Sequence, residues 1–328
     1  MEDNNIRIQK ARKAFISTPD VTTVLKHIER CRKYSDLQSE PSCMMVYGAS
    51  GVGKTSIIKK YLKQNQGDST TEGDTVPVLY IELPENAKPV DAAREMLLKL
   101  NDPLALYESD ITVLTKRIID LVPLLKIELI IIDEFQHLVE KSSNKILARV
   151  GDWIKMLINK TRCPVILFGM PYSQVVLSAN SQLRGRFSIQ FHLRPFSYAN
   201  DRDTFEEFLT RLDEALPFEK CSGLNTKNMV KKLYAFSEGN MRSLRNLIYH
   251  AAVQAIESDQ TSIQAKDFLY ASRLTSGDKQ TTWKNPFEPS IKISKKMLAD
   301  PPRNLGWEDY LRNNKKRGKP DDLSNLFD

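Results

Sequence analysis

Five short apolar runs alternate with segments of helical period between residues 43 and 193. Several runs are apolar throughout, which is typical of parallel strands covered on both faces of a sheet. In the helical segment KILARVGDWIKMLINK, Ile146, Val150, Trp153, Ile154, Leu157 and Ile158 share one face, and we expect that face to pack on the sheet. The alternation predicts an α/β fold in which helices cover a five-stranded parallel sheet. The runs are CMMVY (43–47), VLYIE (78–82), ELIIIDEF (128–135), PVILFG (164–169) and SIQFHL (188–193).

A glycine-rich segment, GASGVGKT, separates the first run from a helical segment. It matches G-x-x-x-x-G-K-[ST], a loop whose backbone N–H groups point at phosphate oxygens beside a helix N-terminus. In this pattern Lys54 reaches the β and γ phosphates, and the hydroxyl of Thr55 binds Mg²⁺. The segment therefore predicts a nucleotide site. Its predicted binding residues are Gly48, Ala49, Ser50, Gly51, Val52, Gly53, Lys54, Thr55 and Ser56.

An acid pair ends the apolar strand in LIIIDEFQH, residues 129–137. Asp133 would hold Mg²⁺ through water at the carboxyl edge of the sheet. We therefore predict Asp133 both as a nucleotide-binding residue and, with Thr55, as a metal ligand. Glu134 can polarise an attacking water, so the pair predicts hydrolysis as well as binding. An exposed acid pair at a strand end is common by itself, and the neighbouring glycine loop favours the catalytic interpretation.

The strand signal disappears after about residue 196, and amphipathic helices are predicted over 200–216, 226–237, 240–257 and 264–273. Thr18 and Pro19 suit the N-cap and first residue of a helix that runs to about Lys33. The predicted organisation is a basic N-terminal arm (1–18), an α/β nucleotide-binding domain (19–196), a helical domain (197–275) and an extended tail (276–328).

Apolar side chains are sparse in the predicted tail. They suit either short motifs that dock on partners or a tail that packs on its own protein, and the sequence leaves both open. These side chains are Trp283, Phe287, Trp307, Tyr310 and Phe327.

A formal net charge of +7 is compatible with a polyanionic partner such as nucleic acid, but the charge alone does not establish one. The four cysteines lie far apart in sequence, which predicts reduced thiols and neither a disulfide framework nor a metal site. No apolar run approaches the roughly 20 residues of a membrane span, and the N-terminus has no secretory pattern. We therefore expect a cytoplasmic protein with no membrane partner.

One complete strand, VLYIE, lies between the glycine loop and the acid pair in sequence, and helices follow the predicted sheet. This organisation resembles the additional-strand ATPases and, within them, the AAA+ family, so the expected nucleotide is ATP. The resemblance implies a sensor-2 arginine in SEGNMRSLRNLI, which assigns Arg242. It also implies an arginine before the last core strand that reaches the γ-phosphate of a neighbouring subunit, for which SQLRGRFSIQFHL offers Arg184 and Arg186.

Arg186 is favoured because it lies closer to the strand, with Arg184 as its substitute or helper. For either arginine alone, a surface ion pair remains the other interpretation. The predicted catalytic set is thus Lys54, Glu134, Arg184, Arg186 and Arg242. The family often places Asn, Thr or Ser at the end of the fourth strand as sensor 1, whereas ILFGMPYSQ offers only Ser173 nearby, which favours slow hydrolysis.

The combination of IIIDEFQHL, FGMP, LRGRF, LRPF and EGNMRSL resembles transposition ATPases of the TnsC/TniB type over roughly residues 20–275. The compact length resembles a TniB or the TnsC of a CRISPR-associated, Tn7-like transposon. The resemblance implies assembly into a ring or helical filament on double-stranded DNA without sequence preference, with hydrolysis driving disassembly. It further implies that the protein connects a TniQ-type target selector to transposase subunits of the TnsA/TnsB type.

In this family the DNA-contacting residues lie after the second strand and on the helix before the acid pair. The resemblance therefore nominates Lys88, Arg94, Lys116 and Arg117, although a solvated helix face is the other interpretation for each. Proteins with two other functions share the same ATPase fold, so both functions stay open. One is a helicase loader or replication initiator, and the other is a signalling or scaffold ATPase that does not use DNA.

Overall fold

The computed structural model describes residues 3–35, 40–70, 73–139, 144–276 and 283–301. These residues form two compact units. The sheet unit comprises Thr23–Ser50 and Lys54–Leu193, interrupted by the residues outside the described ranges. The helical unit comprises the described residues up to Thr22, the loop segment Gly51–Gly53, and the described residues of 194–301.

Seven strands and twelve α-helices occur in the described ranges. The strands are β1 (Met44–Tyr47), β2 (Ser69–Thr70), β3 (Gly73–Asp74), β4 (Val78–Glu82), β5 (Leu129–Asp133), β6 (Val165–Gly169) and β7 (Ile189–His192). The helices are α1 (Asn4–Lys13), α2 (Pro19–Lys33), α3 (Lys54–Gln64), α4 (Pro89–Lys99), α5 (Ile111–Leu124), α6 (Asn144–Thr161), α7 (Val175–Ala179), α8 (Ser181–Arg186), α9 (Arg202–Ala215), α10 (Lys227–Ser237), α11 (Met241–Glu257) and α12 (Ala265–Thr275).

Five parallel strands form the sheet in the order β4-β5-β6-β1-β7, while β2 and β3 form a separate antiparallel hairpin. Each sheet strand lies within one of the predicted apolar runs, so the predicted sheet is confirmed. Strands β5 and β6 are buried at every position, as expected for central parallel strands covered on both faces.

In the sheet, β6 lies between β1 and β5, while VLYIE forms β4 at the edge beyond β5. In the register of β6, Leu167 pairs with Met45 on one side and Ile132 on the other. The carboxyl ends of these three strands therefore meet at one edge of the sheet, where parallel α/β proteins bind their ligands. The glycine loop, the acid pair and the segment after Gly169 all start at this edge.

The apolar face of α6 packs as predicted except at Ile146, which lies in the first turn of the helix and is 42% exposed. Val150, Trp153, Ile154 and Leu157 are buried in the core of the sheet unit. The indole Nε1 of Trp153 donates a hydrogen bond to the hydroxyl of Thr115 on α5 at 3.2 Å. The one polar atom of this large side chain is thereby satisfied inside the core.

The helical unit has its own core, built by α9 to α12. Phe205, Phe208, Tyr234, Leu247 and Phe268 are buried in it. The four helices predicted after residue 200 all form, with ends within two residues of the predicted ones. Periodic apolar residues flanked by capping residues were sufficient to locate them.

Helix α1 belongs to the helical unit and occupies much of the segment that we interpreted as a basic arm. The Arg245 guanidinium on α11 donates to the carbonyl of Ala11 at 3.1 Å, in the last turn of α1. Arg7 donates from Nε to the carbonyl of Pro217 at 3.2 Å. A cation at a helix C-terminus also interacts favourably with the helix dipole.

Residues 283–301, which we call the strap, belong to the helical unit and pack on its helices α10 and α12. Phe287 is buried against Phe268 with the rings stacked 5.5 Å apart. Arg273 forms an ion pair with Glu288 at 2.8 Å. This part of the predicted tail therefore packs on its own protein, whereas Trp307, Tyr310 and Phe327 lie outside the described residues.

Within the described ranges, no helix is long and apolar enough to cross a membrane. Cys31, Cys43 and Cys163 are buried free thiols, and Cys221 is an exposed one.

Candidate nucleotide-binding site

The glycine loop leaves β1 at the centre of the sheet. The N–H of Gly48 donates to the carbonyl of Gly169 at 3.1 Å, which joins the start of the loop to the end of β6. Gly51 and Gly53 have φ values of +81° and +107°, a region that side chains disfavour. The backbone path of the loop thus favours glycine at positions 51 and 53.

Lys54 begins α3 and is only 7% exposed. Its ammonium donates to the carbonyls of Gly48 at 2.6 Å and Ala49 at 3.1 Å. A buried ammonium needs such partners because its desolvation is costly. In this motif the N–H groups of the lysine ammonium also donate hydrogen bonds to phosphate oxygens when a nucleotide binds.

Gly51 also contacts the start of α11. Its carbonyl accepts a hydrogen bond from the N–H of Arg242 at 2.9 Å. Asn240 caps α11 by accepting from the N–H groups of Arg242 and Ser243. A Cβ at position 51 would lie 2.6 Å from Oδ1 of Asn240 and 2.9 Å from Cβ of Arg242, so only glycine fits. The exposed Arg242, predicted from the sequence as sensor 2, therefore has its backbone bonded directly to the glycine loop.

Thr55 and Asp133 form the predicted pair of metal ligands. The Thr55 hydroxyl donates to Oδ2 of Asp133 at 3.2 Å. Burial is the largest cause that raises the pKa of Asp133 to about 6, and the N–H of Glu134 opposes it. A hydroxyl and a carboxylate are the hard oxygen donors that Mg²⁺ prefers, and Mg²⁺ usually takes its remaining ligands from water and phosphate. The pair fits a magnesium ion bound with a nucleotide.

Glu134 has a left-handed backbone, with φ of 53°. Its N–H donates to Oδ1 of Asp133 at 2.8 Å, and its side chain is partly exposed. An αL conformation is costly for a residue with a side chain, and such conformations cluster at functional sites. The Glu134 carboxylate accepts a hydrogen bond from the side-chain amide of Gln136.

No sensor-1 residue was assigned from the sequence, and the side chain of Gln136 lies beside the end of β6, where the family often places that residue. Ser173, the sequence candidate, is buried and directs its hydroxyl to the carbonyl of Met170 at 2.5 Å. Gln136 accepts from the N–H of Met170 at 3.1 Å, directly after β6. The only sequence signal for it is a glutamine two residues after Glu134.

The two candidate trans-acting arginines differ in exposure. The side chain of Arg186 is 10% exposed and donates to Glu40 and Asn159, each at 2.8 Å. Its Nε is buried without a hydrogen-bond partner. Arg184 is exposed, and its Nε makes only a long contact of 3.4 Å with the carbonyl of Leu177 among the hydrogen bonds described.

The four nominated DNA-contacting residues also divide into two kinds. Lys88 and Lys116 are exposed. Arg94 donates to the carbonyls of Ala105 at 3.3 Å and Glu108 at 2.9 Å, and Arg117 bonds to Asp102. Both arginines thus support the connection between α4 and α5.

A model of the family described as bacterial TniB protein matches residues 7–198, which is more than half of the chain. The chain belongs to the bacterial TniB family. The predicted resemblance to TnsC/TniB proteins is thereby confirmed, and assignment of this TniB protein to a CRISPR-associated element stays a prediction. Among curated proteins, none matches this chain at a significant level.

Several solved structures are similar in fold to this TniB-family protein. The ORC2 protein of Aeropyrum pernix in ADPNP-ADP complexes has a TM-score of 0.57 at 15% identity, covering 84% of this chain and 73% of that one. Cdc6p of Pyrobaculum aerophilum has a TM-score of 0.58 at 14% identity, covering 81% and 70%. Domain III of the Thermotoga maritima replication initiation protein DnaA has a TM-score of 0.50 at 17% identity, covering 82% and 95%. At these identities the likeness establishes the fold, which is the predicted AAA+ P-loop fold.

Proposed function

We propose that this TniB-family protein is an ATPase that assembles on double-stranded DNA in the bacterial cytoplasm and regulates transposition. The observation that carries the proposal is the cluster of Lys54, Thr55, Asp133 and Glu134 at the carboxyl edge of the sheet. A buried ammonium, a hydroxyl–carboxylate pair and an adjacent second carboxylate are the groups that ATP hydrolysis requires.

Each group has a distinct task in this proposal. Lys54 exchanges its bonds to the carbonyls of Gly48 and Ala49 for bonds to phosphate oxygens. Thr55 and Asp133 hold Mg²⁺, which when bound offsets the charge on the phosphates. Glu134, fixed beside Asp133, orients and polarises the attacking water.

Arg184 is the better candidate for an arginine that acts on a neighbouring subunit. It is exposed, whereas Arg186 is held by Glu40 and Asn159 of its own chain. We therefore assign Arg184 as the residue that reaches the neighbour's γ-phosphate, with Arg186 supporting the segment that carries it. Arg242, at the start of α11, acts on the nucleotide of its own subunit.

DNA binding in this proposal is electrostatic. The exposed Lys88 and Lys116 contact backbone phosphates, and the assembly tolerates any sequence. Arg94 and Arg117 keep the nearby connection in shape through Ala105, Glu108 and Asp102. The assembly then presents a marked DNA segment to a TniQ-type target selector and to transposase subunits of the TnsA/TnsB type.

ATP favours assembly because two subunits share one nucleotide, and loss of the γ-phosphate weakens that contact. Electron microscopy of the protein with duplex DNA tests this directly, with ATP, ADP or no nucleotide. We expect rings or filaments with ATP or a non-hydrolysable analogue, and none with ADP. A protein that stays monomeric on DNA with ATP would indicate a DNA-independent scaffold instead.

A replication-initiator or helicase-loader function is the second candidate, favoured by the fold likeness to ORC2, Cdc6p and DnaA domain III. It predicts preferential binding to single strands or to a replicative helicase. Competition between duplex and single-stranded DNA of equal length separates the two, because the transposition proposal requires the duplex to win.

A further inference from the structure

Gln136 connects the catalytic acid to the neighbouring strand. It lies in the 3-10 turn Phe135–Leu138 after β5, and only 5% of the residue is exposed. Its amide donates from Nε2 to Oε2 of Glu134 and accepts at Oε1 from the N–H of Met170 at 3.1 Å. One buried side chain thereby joins the ends of β5 and β6.

The chemistry of the two partners fixes the direction of the amide. An ionised carboxylate only accepts hydrogen bonds, and a backbone N–H only donates. A flipped amide would place its oxygen against Glu134 and its NH₂ group against the N–H of Met170, which loses both bonds. Gln136 therefore has a single satisfied orientation, and that orientation holds one Glu134 oxygen in a fixed place.

The end of β6 has no room for a side chain that could do the same work. A Cβ at Gly169 would lie 2.6 Å from Oγ of Ser173 and 3.3 Å from Oε1 of Gln136. The Ser173 hydroxyl is itself committed to the carbonyl of Met170. The space beside the catalytic acid is thus filled from the β5 side, by Gln136.

We infer that Gln136 is a positioning residue for ATP hydrolysis, which holds the Glu134 carboxylate in line for the attacking water and links it to the end of β6. The inference rests on the proposed role of Glu134 as the group that polarises water. The left-handed conformation fixes the Glu134 backbone, but a backbone conformation does not by itself fix the side-chain torsions. The amide of Gln136 supplies that missing restraint.

Two substitutions test the inference. Gln136→Met keeps the length of the side chain and removes both hydrogen bonds. Gln136→Glu keeps an acceptor for Met170 and replaces the donor with a second carboxylate beside Glu134. A positioning role predicts a kcat lower by about 10- to 100-fold in both, with the KM for ATP within about threefold of the unaltered protein. Gln254→Met, on α11, is the matched control and should leave both constants unchanged.

A merely structural role would give a different result. It would lower the unfolding midpoint and the yield of folded protein, while the kcat of the folded fraction stayed at the unaltered value. That outcome for Gln136→Met, or for Gln136→Glu if the methionine variant does not fold, would overturn the inference.

A double variant separates this inference from the proposed function. If Gln136 acts through Glu134, then Glu134→Gln combined with Gln136→Met should be no slower than Glu134→Gln alone. Losses that multiply would overturn the inference and leave the role of Glu134 intact. An unaltered rate in Glu134→Gln alone would instead overturn the proposed function.

Discussion

Thr55 donates a hydrogen bond from its hydroxyl to Oδ2 of Asp133 at 3.2 Å, which joins the first turn of α3 to the last residue of β5. Asp133 has no solvent-exposed surface. The chain thus keeps a carboxylate in an apolar sheet edge, where its charge is costly without a cation.

Asp133→Asn should stabilise the nucleotide-free protein at neutral pH. Burial raises the pKa of Asp133 to about 6, so its contribution to stability is full below its unfolded pKa and is lost as pH rises through about 6. Asparagine removes the free-energy cost of ionising the buried carboxyl, which amounts to at most about 3 kcal/mol at about pH 7.5. The free energy of unfolding, measured by denaturant titration, should rise at that pH and rise less near pH 5.

The exposed Asp120 on α5 provides the control. Asp120→Asn should change the free energy of unfolding by less than about 0.5 kcal/mol at either pH. An equal gain for Asp133→Asn at both pH values would contradict the burial argument.

Lys54→Ala should abolish tight nucleotide binding. It removes a buried ammonium whose donors match phosphate oxygens, and a hydrogen bond to a charged group contributes about 1.5–3 kcal/mol. ATP affinity should therefore fall by roughly 100-fold, measured by calorimetric titration. Lys59→Ala, at an exposed position on the same helix, should bind ATP normally. Normal affinity in Lys54→Ala would remove the glycine loop from the proposed site.

Arg184→Ala and Arg186→Ala should fail in different ways. Arg184→Ala should keep its unfolding midpoint and ATP affinity, while turnover in the presence of DNA falls by about 10³-fold. Arg186→Ala should instead lower the unfolding midpoint, because Glu40 and Asn159 lose their partner. Steady-state ATPase assays and thermal melts of both variants measure the two effects.

An ATPase assay on a mixture of the Arg184→Ala and Lys54→Ala proteins tests whether Arg184 acts on the nucleotide of a neighbouring subunit. Arg184→Ala carries an intact glycine loop, and Lys54→Ala carries an intact Arg184, so a mixture should recover activity that neither variant has alone. A mixture as inactive as its components would place Arg184 outside a shared site.

Gly51→Ala should destabilise the helical unit more than Gly53→Ala. Both glycines have positive φ, which costs alanine about 1–2 kcal/mol. Only at Gly51 would the new methyl also meet Asn240 and Arg242, which adds about 1–3 kcal/mol of overpacking. Thermal melts should rank Gly51→Ala lowest and Gly185→Ala, in open space on α8, unchanged. Equal midpoints for the two loop variants would mean that the contact with α11 carries no energy.

The elements that could be predicted are those set by local sequence. The five sheet strands are apolar runs, and the helices after residue 200 have regular apolar spacing, so each could be located without knowing its neighbours. Lys54, Thr55, Asp133 and Glu134 could be found because their motifs fix them relative to a strand end.

The features that the sequence did not indicate depend on contacts distant in sequence. Gln136 accepts a hydrogen bond from the N–H of Met170, and Arg186 is paired with Glu40, 146 residues away. Helix α1 has few apolar residues and looked like an arm, because its support from Arg245 comes from 234 residues further along the chain. No local pattern encodes these pairings.

Asp300, near the end of the strap, anchors this segment through hydrogen bonds to the rest of the helical unit. Asp300 accepts from the hydroxyl of Ser197 at 2.6 Å, the N–H of Tyr198 at 3.1 Å and the hydroxyl of Tyr234 at 2.7 Å. Tyr234 is buried on α10, in the core of the helical unit. Force applied to the chain beyond residue 301 would therefore reach the core of the helical unit through Tyr234 on α10 and through the segment of Ser197 and Tyr198.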